Sequence, residues 1–527
     1  MFTESLRKWA LAAVVALAGL QAAPVQAESV LRLANDGDIT QLDPLFSTAY
    51  PVRDMSYLIW DTLFSMDSTL TPRPQMVDTY SISKDGLTYS FTLRPKLQFS
   101  DGARVTSKDV IASIERWMTK DSLGMEIAKR MASLSAVDDN TFKLVLKQPF
   151  AQVLNGFGRM TAYPLFIMPE REARMPIGKL TEWVGSGPYK LVKKEWIPGV
   201  KFVLEKNKSY VPRSEPPDNL AGGHIAGVDR IERIVFPDPN SAANALLAGE
   251  IDYITLTPTE MMPIFARSGK FESADIPLPG SSLQIVPNHT LPPFNNVKVR
   301  QALQYAVNQT DLMTAMYGNR PDIWRPCAAI FMCGGPYETD VNSARYMHQD
   351  FAKARALLKE AGYDGTPVLY MHPMDTRLQN EGGTVLVQAM RKAGFVVKDE
   401  QMDTATMFTR RANKGPVSEG GWNLFITAFN GDAMQDPLTN PYVTGACAEA
   451  FVGWPCDKQL QGDWQDFLLA ANPAARKAAA VKIQDRANEI VTFIPGGQFT
   501  YVSTWSKKLS GIVKANVVVY WNITKKD

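Results

Sequence analysis

Two spacings of apolar residues run through this chain, one typical of helices and the other typical of strands. Residues 297–307 carry apolar side chains at helical spacing, which predicts a helix with one buried face and Asn296 as its N-cap. A similar set after Thr106 predicts a second amphipathic helix. Alternating apolar residues in 87–93, preceded by an Asp-Gly turn at 85–86, predict a β-hairpin.

Further elements follow from the same patterns. Short apolar runs predict strands, and spaced apolar residues after a capping side chain predict helices. The predicted strands are 30–34, 251–256, 283–286, 368–371, 422–429 and 517–522, and the predicted helices are 241–248, 351–361, 385–392 and 473–490. This alternation of strands and helices indicates an α/β protein.

Length and composition restrict the class of protein. At 527 residues the chain is too long for one ordinary core, so two or three domains are expected. A hydrophobic content of 45% with 21% charged residues is typical of a globular protein. The net charge of +2 is close to balance and clusters nowhere, which argues against a nucleic-acid partner.

The first 27 residues have the layout of a secretory signal peptide. Arg7 and Lys8 precede an apolar run at 9–20, and the sequence V-Q-A at 25–27 matches a small-x-small cleavage pattern. The run is too short to span a bilayer comfortably, so an uncleaved anchor is the weaker interpretation. No cysteine follows the run, which argues against a lipoprotein. We therefore expect export, with a mature chain that begins at Glu28.

Four cysteines follow the signal segment. Their spacing suggests two local pairs, Cys327 with Cys333 and Cys447 with Cys456, although three connectivities are open. An oxidising compartment permits such disulfides. Neither spacing matches the C-x-x-C of zinc or redox sites, so we predict that these cysteines fasten loops.

Enzyme and metal sites find little support in the sequence. We find no G-x-S-x-G or H-E-x-x-H motif and no S-x-x-K with supporting partners, and the four histidines are scattered. An exported hydrolase stays a minor alternative, because catalytic residues can meet in space without being near in sequence. Met371 and His372 are soft metal ligands, but a strand turns neighbouring side chains to opposite faces. We predict no metal and no cofactor.

Residues 185–188 read Gly-Ser-Gly-Pro, which invites comparison with a phosphate-binding loop. Such a loop needs its glycines to open a helix, so that backbone N–H groups point at the phosphates. Here Pro188 and the β-rich residues after it predict a strand. We therefore interpret this segment as the start of a strand.

Several stretches resemble one known family. Residues 288–308 read N-H-T-L-P-P-F-N-N-V-K-V-R-Q-A-L-Q-Y-A-V-N, which resembles the solute-binding proteins of peptide, opine and nickel ABC transporters. The sequences S-K-D-G-L-T-Y-S-F-T-L-R, F-S-D-G and V-T-S-K-D-V between 83 and 110 are similar to the same family, as is A-L-L-A-G-E-I-D at 245–252. The resemblance extends from about Leu31 to the C-terminus.

This resemblance implies an α/β, two-lobed periplasmic binding protein fold, type II-like and of cluster C, with an extra small β-rich domain. It implies a large lobe built from residues 28–70, 180–286 and 496–527, a small insertion domain at 71–179 and a second α/β lobe at 287–495. The ligand of such a protein lies between lobes that close about a hinge.

The function implied is that of the periplasmic substrate-binding component of an ABC importer rather than an enzyme. Such a protein captures a dipeptide or oligopeptide, acts as a monomer, and delivers the solute to transmembrane permease subunits with their ATPases. Relatives in the family carry opines, nickel chelates, muropeptides or oligosaccharides, so the identity and size of the ligand stay open.

The resemblance also implies candidate ligand-binding residues. In peptide-binding members an aromatic-x-x-Asp after the strand at 422–429 supplies the carboxylate for the α-ammonium group of the ligand. The matching residues here are Phe429, Asn430 and Asp432, with Phe where Trp is usual. Arg377 is the nearest basic residue for the opposite end of a peptide. A solvated loop charge is the alternative for both charged residues.

Two further residues are relevant to the expected site. Tyr50 ends an aromatic loop that follows Leu-Asp-Pro at 42–44, where family members place the edge of the cleft, although a lone tyrosine is more often simple packing. Asp436 precedes a proline, a pattern common in turns, so we predict a turn residue there rather than a ligand-binding residue.

Overall fold

The computed structural model describes residues 28–34, 37–47, 49–161, 163–276, 279–343 and 348–526, so the predicted signal peptide at 1–27 lies outside the described residues. Three sheets with flanking helices organise this part of the chain. None of the helices in these ranges combines the length and hydropathy that a membrane span requires.

The largest sheet has seven strands. Its central strand, Val30–Ala34, is parallel to a neighbour on each side, whereas the remaining pairs are antiparallel. The strands lie in the order Phe271–Asp275, Val502–Ser506, Tyr253–Ile254, Val30–Ala34, Arg230–Ile234, Lys201–Lys206 and Tyr189–Leu191. Distant segments of the chain therefore form one sheet.

A second sheet has six strands and mixed direction. Val368–Pro373 is parallel to both of its neighbours, and the other pairs are antiparallel. The strands lie in the order Trp324–Arg325, Ile494–Phe499, Ser281–Pro287, Leu424–Asn430, Val368–Pro373 and Val397–Met402. Parallel pairing requires helical crossovers, which the helices between 297 and 410 supply.

A smaller antiparallel sheet of four strands forms from residues between 77 and 146. Its order is Val77–Ile82, Thr88–Leu93, Thr141–Leu146 and Met131–Ala136, and the first two strands form the predicted hairpin. Tyr89, Phe91 and Leu93 face a core of their own. Two-stranded pairings join Phe64–Met66 with Pro72–Pro74 and Leu509–Ser510 with Thr524–Lys525.

Helices cover these sheets. Those bounded by the structure are Tyr50–Ile59, Ser107–Met118, Ser122–Arg130, Val153–Phe157, Glu170–Ala173, Pro239–Ala248, Met262–Ser268, Val297–Ala306, Gln309–Tyr317, Phe351–Glu360, Arg377–Lys392, Thr404–Arg410, Gly431–Met434, Lys458–Leu469 and Pro473–Ile490. Three short 3₁₀ turns are Lys193–Glu195, Val417–Glu419 and Cys447–Glu449. The predicted cap at Asn296 forms, since Asn296 accepts from the Lys298 N–H, and Thr106 makes a capping box with Asp109.

The chain crosses between the two large sheets twice. Phe271–Asp275 lies in the seven-stranded sheet and the next strand, Ser281–Pro287, lies in the six-stranded sheet. Ile494–Phe499 lies in the six-stranded sheet and is followed by Val502–Ser506 in the other. The expected lobe boundaries at 286/287 and 495/496 therefore fall inside strands of the six-stranded sheet.

Several predicted elements differ in extent. The strand expected at 251–256 is confined to Tyr253–Ile254, and the helix expected at 385–392 already begins at Arg377. The strand expected at 517–522 is wrong, because this segment is a buried irregular stretch. Side chains at neighbouring positions there are all buried, and Trp521 stacks on His224 with ring centroids 3.8 Å apart. A run in which every residue is apolar lacks the alternation that distinguishes a strand from other buried structure, so the sequence alone could not identify this segment.

Candidate functional site

The helix Tyr50–Ile59 is fixed at its carboxyl end by two glycines. The Gly187 N–H donates to the Ile59 carbonyl oxygen at 2.8 Å, and a Cβ added at Gly185 would lie 1.9 Å from that oxygen. The Gly-Ser-Gly-Pro segment therefore packs closely against the end of this helix. It leads into a strand, as predicted. Residues of this helix also pack in the core of the seven-stranded sheet.

The loop after strand Leu424–Asn430 is shaped by close backbone approach. The Gly431 N–H donates to the Gly280 carbonyl oxygen at 2.6 Å. A Cβ at position 431 would lie 2.7 Å from the Pro279 ring, so glycine is the residue that fits. The chain turns there into the short helix Gly431–Met434, which places Asp432 at the end of the strand, as the sequence predicts.

Asp432 meets a cation that the sequence analysis did not identify. Nη1 of Arg53, on the helix that begins at Tyr50, donates to Oδ2 of Asp432 at 2.7 Å. The exposed fractions of the two side chains are 3% and 0%. Nη2 of Arg53 also donates to the Asp54 carboxylate at 2.9 Å. Burial alone would lower the pKa of Arg53, but the two carboxylates outweigh it and the pKa is raised.

Tyr50 and Asn430 lie around this ion pair. The Tyr50 ring lies 4.7 Å from the Arg53 guanidinium carbon, a cation–π contact, and its hydroxyl accepts a hydrogen bond from the Asn430 N–H at 3.3 Å. Burial raises the pKa of Tyr50, and the charge of Asp432 raises it further. The structure thus brings Tyr50, Asn430 and Asp432 together around the Arg53 guanidinium.

Phe429 lies behind the loop rather than beside the ion pair. Its half-buried ring makes edge-to-face contacts with Tyr442 and Phe451, each with ring centroids 5.9 Å apart. This aromatic group belongs to the core of the six-stranded sheet. Phe429 therefore supports the loop from its inner side.

Arg377 makes its contacts elsewhere. It is the first residue of helix Arg377–Lys392, and Thr376 caps that helix. Its Nη1 donates to Thr259 at 3.3 Å, its Nη2 lies 4.0 Å from Glu260, and its side chain is 49% exposed. None of its described contacts involves Asp432, so the structure does not join the two expected charges in one cluster.

A cavity of about 350 Å³ borders Asp432. Its wall comes from three separate parts of the chain, represented by residues 66–71, residues 123–161 of the small β-rich region, and residues 336–476 that surround the six-stranded sheet. Among its charged and polar lining residues are Arg159, Tyr337, Asp432, Asp436 and Arg476. The cavity therefore lies where the sheets and the small β-rich region meet.

Charges of both signs line this cavity. Arg159 is buried and its Nε lies 3.2 Å from the Asp121 carboxylate, while its Nη2 lies 3.5 Å from the Leu438 carbonyl oxygen. Oδ1 of Asp432 is buried and has no hydrogen-bond partner among the described residues. Burial raises the pKa of Asp436 to about 6, although Arg159 and Arg476 lower it from a distance.

Sequence reasoning missed Arg53, Arg159, Arg476 and the lining position of Asp436. One signal was available for the first, because Arg53 and Asp54 interrupt an otherwise apolar helix, and buried charges require partners. The others lie on segments that are far apart in sequence, so only the fold places them around one cavity.

The cysteines form the two predicted local pairs. Cys327 is joined to Cys333 and Cys447 is joined to Cys456. The second disulfide fastens the segment that follows Asp436 to the start of helix Lys458–Leu469. Among the described residues these pairs use every cysteine.

His372, considered above as a metal ligand, lies in strand Val368–Pro373 with both ring nitrogens engaged. Nδ1 lies 2.7 Å from the Asp399 carboxylate and Nε2 lies 3.1 Å from the Asn380 carbonyl oxygen. The side chain is buried. These contacts give His372 a structural role between the strand and the helix that follows it.

Comparison with known proteins agrees with this architecture. The family model of bacterial extracellular solute-binding proteins, family 5 middle, matches residues 71–451. The periplasmic binding protein DppA of Helicobacter pylori, solved in complex with the peptide STSA, superposes with a TM-score of 0.77 at 21% identity, covering 95% of this chain and 99% of that chain. This match confirms the predicted α/β binding-protein fold.

Two relatives are similar over almost their whole length. A probable peptide ABC transporter periplasmic-binding protein, y4tO of Sinorhizobium fredii, is 32% identical over 530 residues, covering 100% of this chain and 98% of the relative. The glutathione-binding protein GsiB of Pectobacterium atrosepticum is 28% identical over 524 residues, covering 96% of this chain and 95% of the relative. This chain therefore belongs to family 5 of the bacterial extracellular solute-binding proteins.

Proposed function

We propose that this chain is the periplasmic receptor of an ABC importer and captures a small peptide-like solute between its lobes. The observation that carries the proposal is the cavity of about 350 Å³, whose wall combines three separate parts of the chain. Its volume lies at the lower end of the roughly 300–1,000 Å³ that is usual for ligand pockets. It suits a solute the size of a short peptide.

The sheet pairings support a division into lobes. We place the large lobe around the seven-stranded sheet, the small domain around the four-stranded sheet and the second lobe around the six-stranded sheet. The two crossings between the large sheets then form the hinge, one between the strands Phe271–Asp275 and Ser281–Pro287 and the other at 500–501, instead of at 286/287 and 495/496. Two neighbouring crossings allow one lobe to rotate against the other while each sheet stays intact.

The charges around the cavity support a zwitterionic solute. Oδ1 of Asp432 and the Asp436 carboxylate suit an ammonium group, and Arg159 and Arg476 suit a carboxylate. Tyr50 and Asn430 position Asp432, and Phe429 supports the loop behind it. Arg377 lies at an exposed position between the two large lobes, next to Thr259. It is a further candidate for binding the carboxylate of a longer solute.

The proposal involves binding and release without a chemical step. A receptor for import delivers its solute unchanged to a permease and its ATPase subunits, and ligand contributes contacts to the closed state that the open state lacks. The names of the relatives, a peptide transporter component and a glutathione-binding protein, support a peptide-like solute. The predicted signal peptide supports a periplasmic location for a monomeric receptor.

Native mass spectrometry of gently purified periplasmic protein tests the proposal. We expect a co-purified zwitterionic molecule that leaves on partial unfolding, and rebinding should make the particle more compact in small-angle scattering. Solute recovered after long incubation should have an unchanged mass. A time-dependent product would favour the hydrolase alternative, and a scattering profile that ligand does not change would contradict closure.

A further inference from the structure

The two carboxylates of the cavity differ in how their charge is compensated. Asp432 is fully buried, and its Oδ2 accepts from the Arg53 guanidinium at 2.7 Å. A cation at that distance in a buried site neutralises most of the field of the carboxylate. Oδ1 of Asp432 thus remains a hydrogen-bond acceptor of low net charge.

Asp436 has no such partner. Its Oδ1 accepts from the Leu438 N–H at 2.7 Å, an Asx-type turn bond that fixes the side chain. Among the described residues no cation lies within 4.0 Å of the carboxylate, and none donates a hydrogen bond to Oδ2. Its half-buried position raises its pKa to about 6. The protein therefore does not place enough positive charge beside this carboxylate to offset the cost of burying it.

Two arginines line the cavity together with Asp436, and each also interacts with another titratable group. Arg159, from the small β-rich region, is engaged with Asp121, whose own pKa is raised by burial despite that cation. Arg476, on helix Pro473–Ile490, interacts with Tyr337, whose pKa is raised by burial to about 12 although Arg476 lowers it. Both arginines act on Asp436 from a distance rather than as salt-bridge partners.

We infer that Asp436 carries the uncompensated negative charge that selects a cationic group of the solute. Asp432 contributes only a hydrogen-bond acceptor, because its charge is neutralised by Arg53. This inference rests on the proposed function and deepens it. It assigns the solute an ammonium or comparable cationic group near Asp436, with its carboxylate directed towards Arg159 and Arg476. Asp436 is thus a specificity residue rather than only a turn residue.

The test compares Asp436→Asn with Asp432→Asn. The asparagine amide oxygen can still accept from the Leu438 N–H, so the first variant removes the charge and keeps the turn. Asp364→Asn is a matched control, because Asp364 accepts from the Thr366 N–H in the same kind of turn but is exposed and outside the cavity. Thermal unfolding of each variant verifies that it folds.

The probe is an equimolar pool of dipeptides and tripeptides, each present with a free and with an N-acetylated amino terminus. Affinity mass spectrometry identifies the peptides that bind, and calorimetry then measures their affinities. For wild type we expect preference for the free amine. Asp436→Asn should reduce this preference by about 30-fold or more, the effect of removing one partner of a desolvated charge pair. Asp432→Asn should reduce it only several-fold, and Asp364→Asn should leave it unchanged.

A second measurement needs no variant. In wild type the preference for the free amine should fall as the pH is lowered through about 6, where Asp436 takes up a proton. If Asp432→Asn abolishes the preference while Asp436→Asn retains it, or if wild type binds free and acetylated peptides equally, the inference is overturned and the proposed function stands. A wild-type protein that retains no member of the pool overturns the proposed function and the inference with it.

Discussion

Among the described residues, two ion pairs connect the six-stranded-sheet side of the molecule with the seven-stranded-sheet side, and they differ in distance and in exposure to water. At one end Arg53 donates to Asp432 at 2.7 Å, with both side chains almost inaccessible to water. At the other end Arg377 lies 4.0 Å from Glu260, and each side chain is about half exposed, at 49% and 51%.

This difference shows that opposite charges across a cleft do not contribute equally. In the buried pair the low dielectric strengthens the attraction, but each ion has lost its hydration, so loss of one partner leaves the other unpaired and strongly disfavoured. In the exposed pair, water and salt screen the attraction. The Arg53–Asp432 pair therefore holds the two sides together more strongly than the Arg377–Glu260 pair does.

Arg53→Met should have the largest effect on stability. It leaves Asp432 buried without the Arg53 guanidinium, and breaking a buried pair in this way typically costs about 3–5 kcal/mol. Urea denaturation of ligand-free protein, followed by tryptophan fluorescence, measures the change. A loss below about 1 kcal/mol would mean that the pair is hydrated in solution and would remove the contrast with Arg377.

The double variant Arg53→Met with Asp432→Asn is the control for this interpretation. Since it removes the unpaired carboxylate of Asp432, it should be more stable than Arg53→Met alone, and the double-mutant cycle gives the coupling of the pair. Asp54 still loses the hydrogen bonds that Arg53 donates to it, so recovery should be partial. Additive losses would show that the two side chains stabilise the fold independently.

Removing the Cys447–Cys456 disulfide should have the next largest effect. The bridge closes a short loop in the segment after Asp436, and the chain-entropy model gives about 2–3 kcal/mol for a loop of this size. The double serine variant, compared in denaturant with a Cys327→Ser and Cys333→Ser control, measures this contribution. If amine binding is also lost, the disulfide and not the Arg53 ion pair holds the loop in place.

The sequence predicted most of the fold where local rules decide the structure. The helix Val297–Ala306 with its Asn296 cap, and the hairpin of Val77–Ile82 with Thr88–Leu93, depend on neighbours in the chain, and both formed as expected. The strand expected at 517–522 did not form, because tertiary burial rather than alternation determines that segment.

The candidate site was less accessible to sequence reasoning. Tyr50, Asn430 and Asp432 were placed by the family resemblance, and the structure brings them together. The cation beside Asp432 could not be foreseen, because Arg53 is 379 residues away along the chain. Asp436 is also distant in sequence from the two arginines that line the cavity with it, so a residue expected to form a turn was found on the cavity wall.

The pH dependence of stability should distinguish Asp436 from the compensated Asp432. Burial raises the pKa of Asp436 from its ordinary value of 3.8 to about 6, so its contribution to stability is full below about pH 4 and is lost as the pH rises through 6. Allowing for partial exposure, the loss should be about 1–2 kcal/mol. Chemical denaturation of wild type and Asp436→Asn between pH 4 and 7 measures it, and parallel curves would contradict it.

The smallest effect is expected at the exposed end of the cleft. Arg377→Gln keeps the helix start, since Thr376 supplies the cap, and removes only a screened charge whose contacts lie at 3.3–4.0 Å. Stability should change by less than about 1 kcal/mol, and the change should vanish in high salt. Short peptides that occupy the cavity beside Asp436 should bind with nearly unchanged affinity, because the described contacts of Arg377 are with Thr259, Glu260 and Glu381. Calorimetry with peptides of increasing length tests this, and a large loss for short peptides would show that Arg377 moves on closure to hold the solute carboxylate.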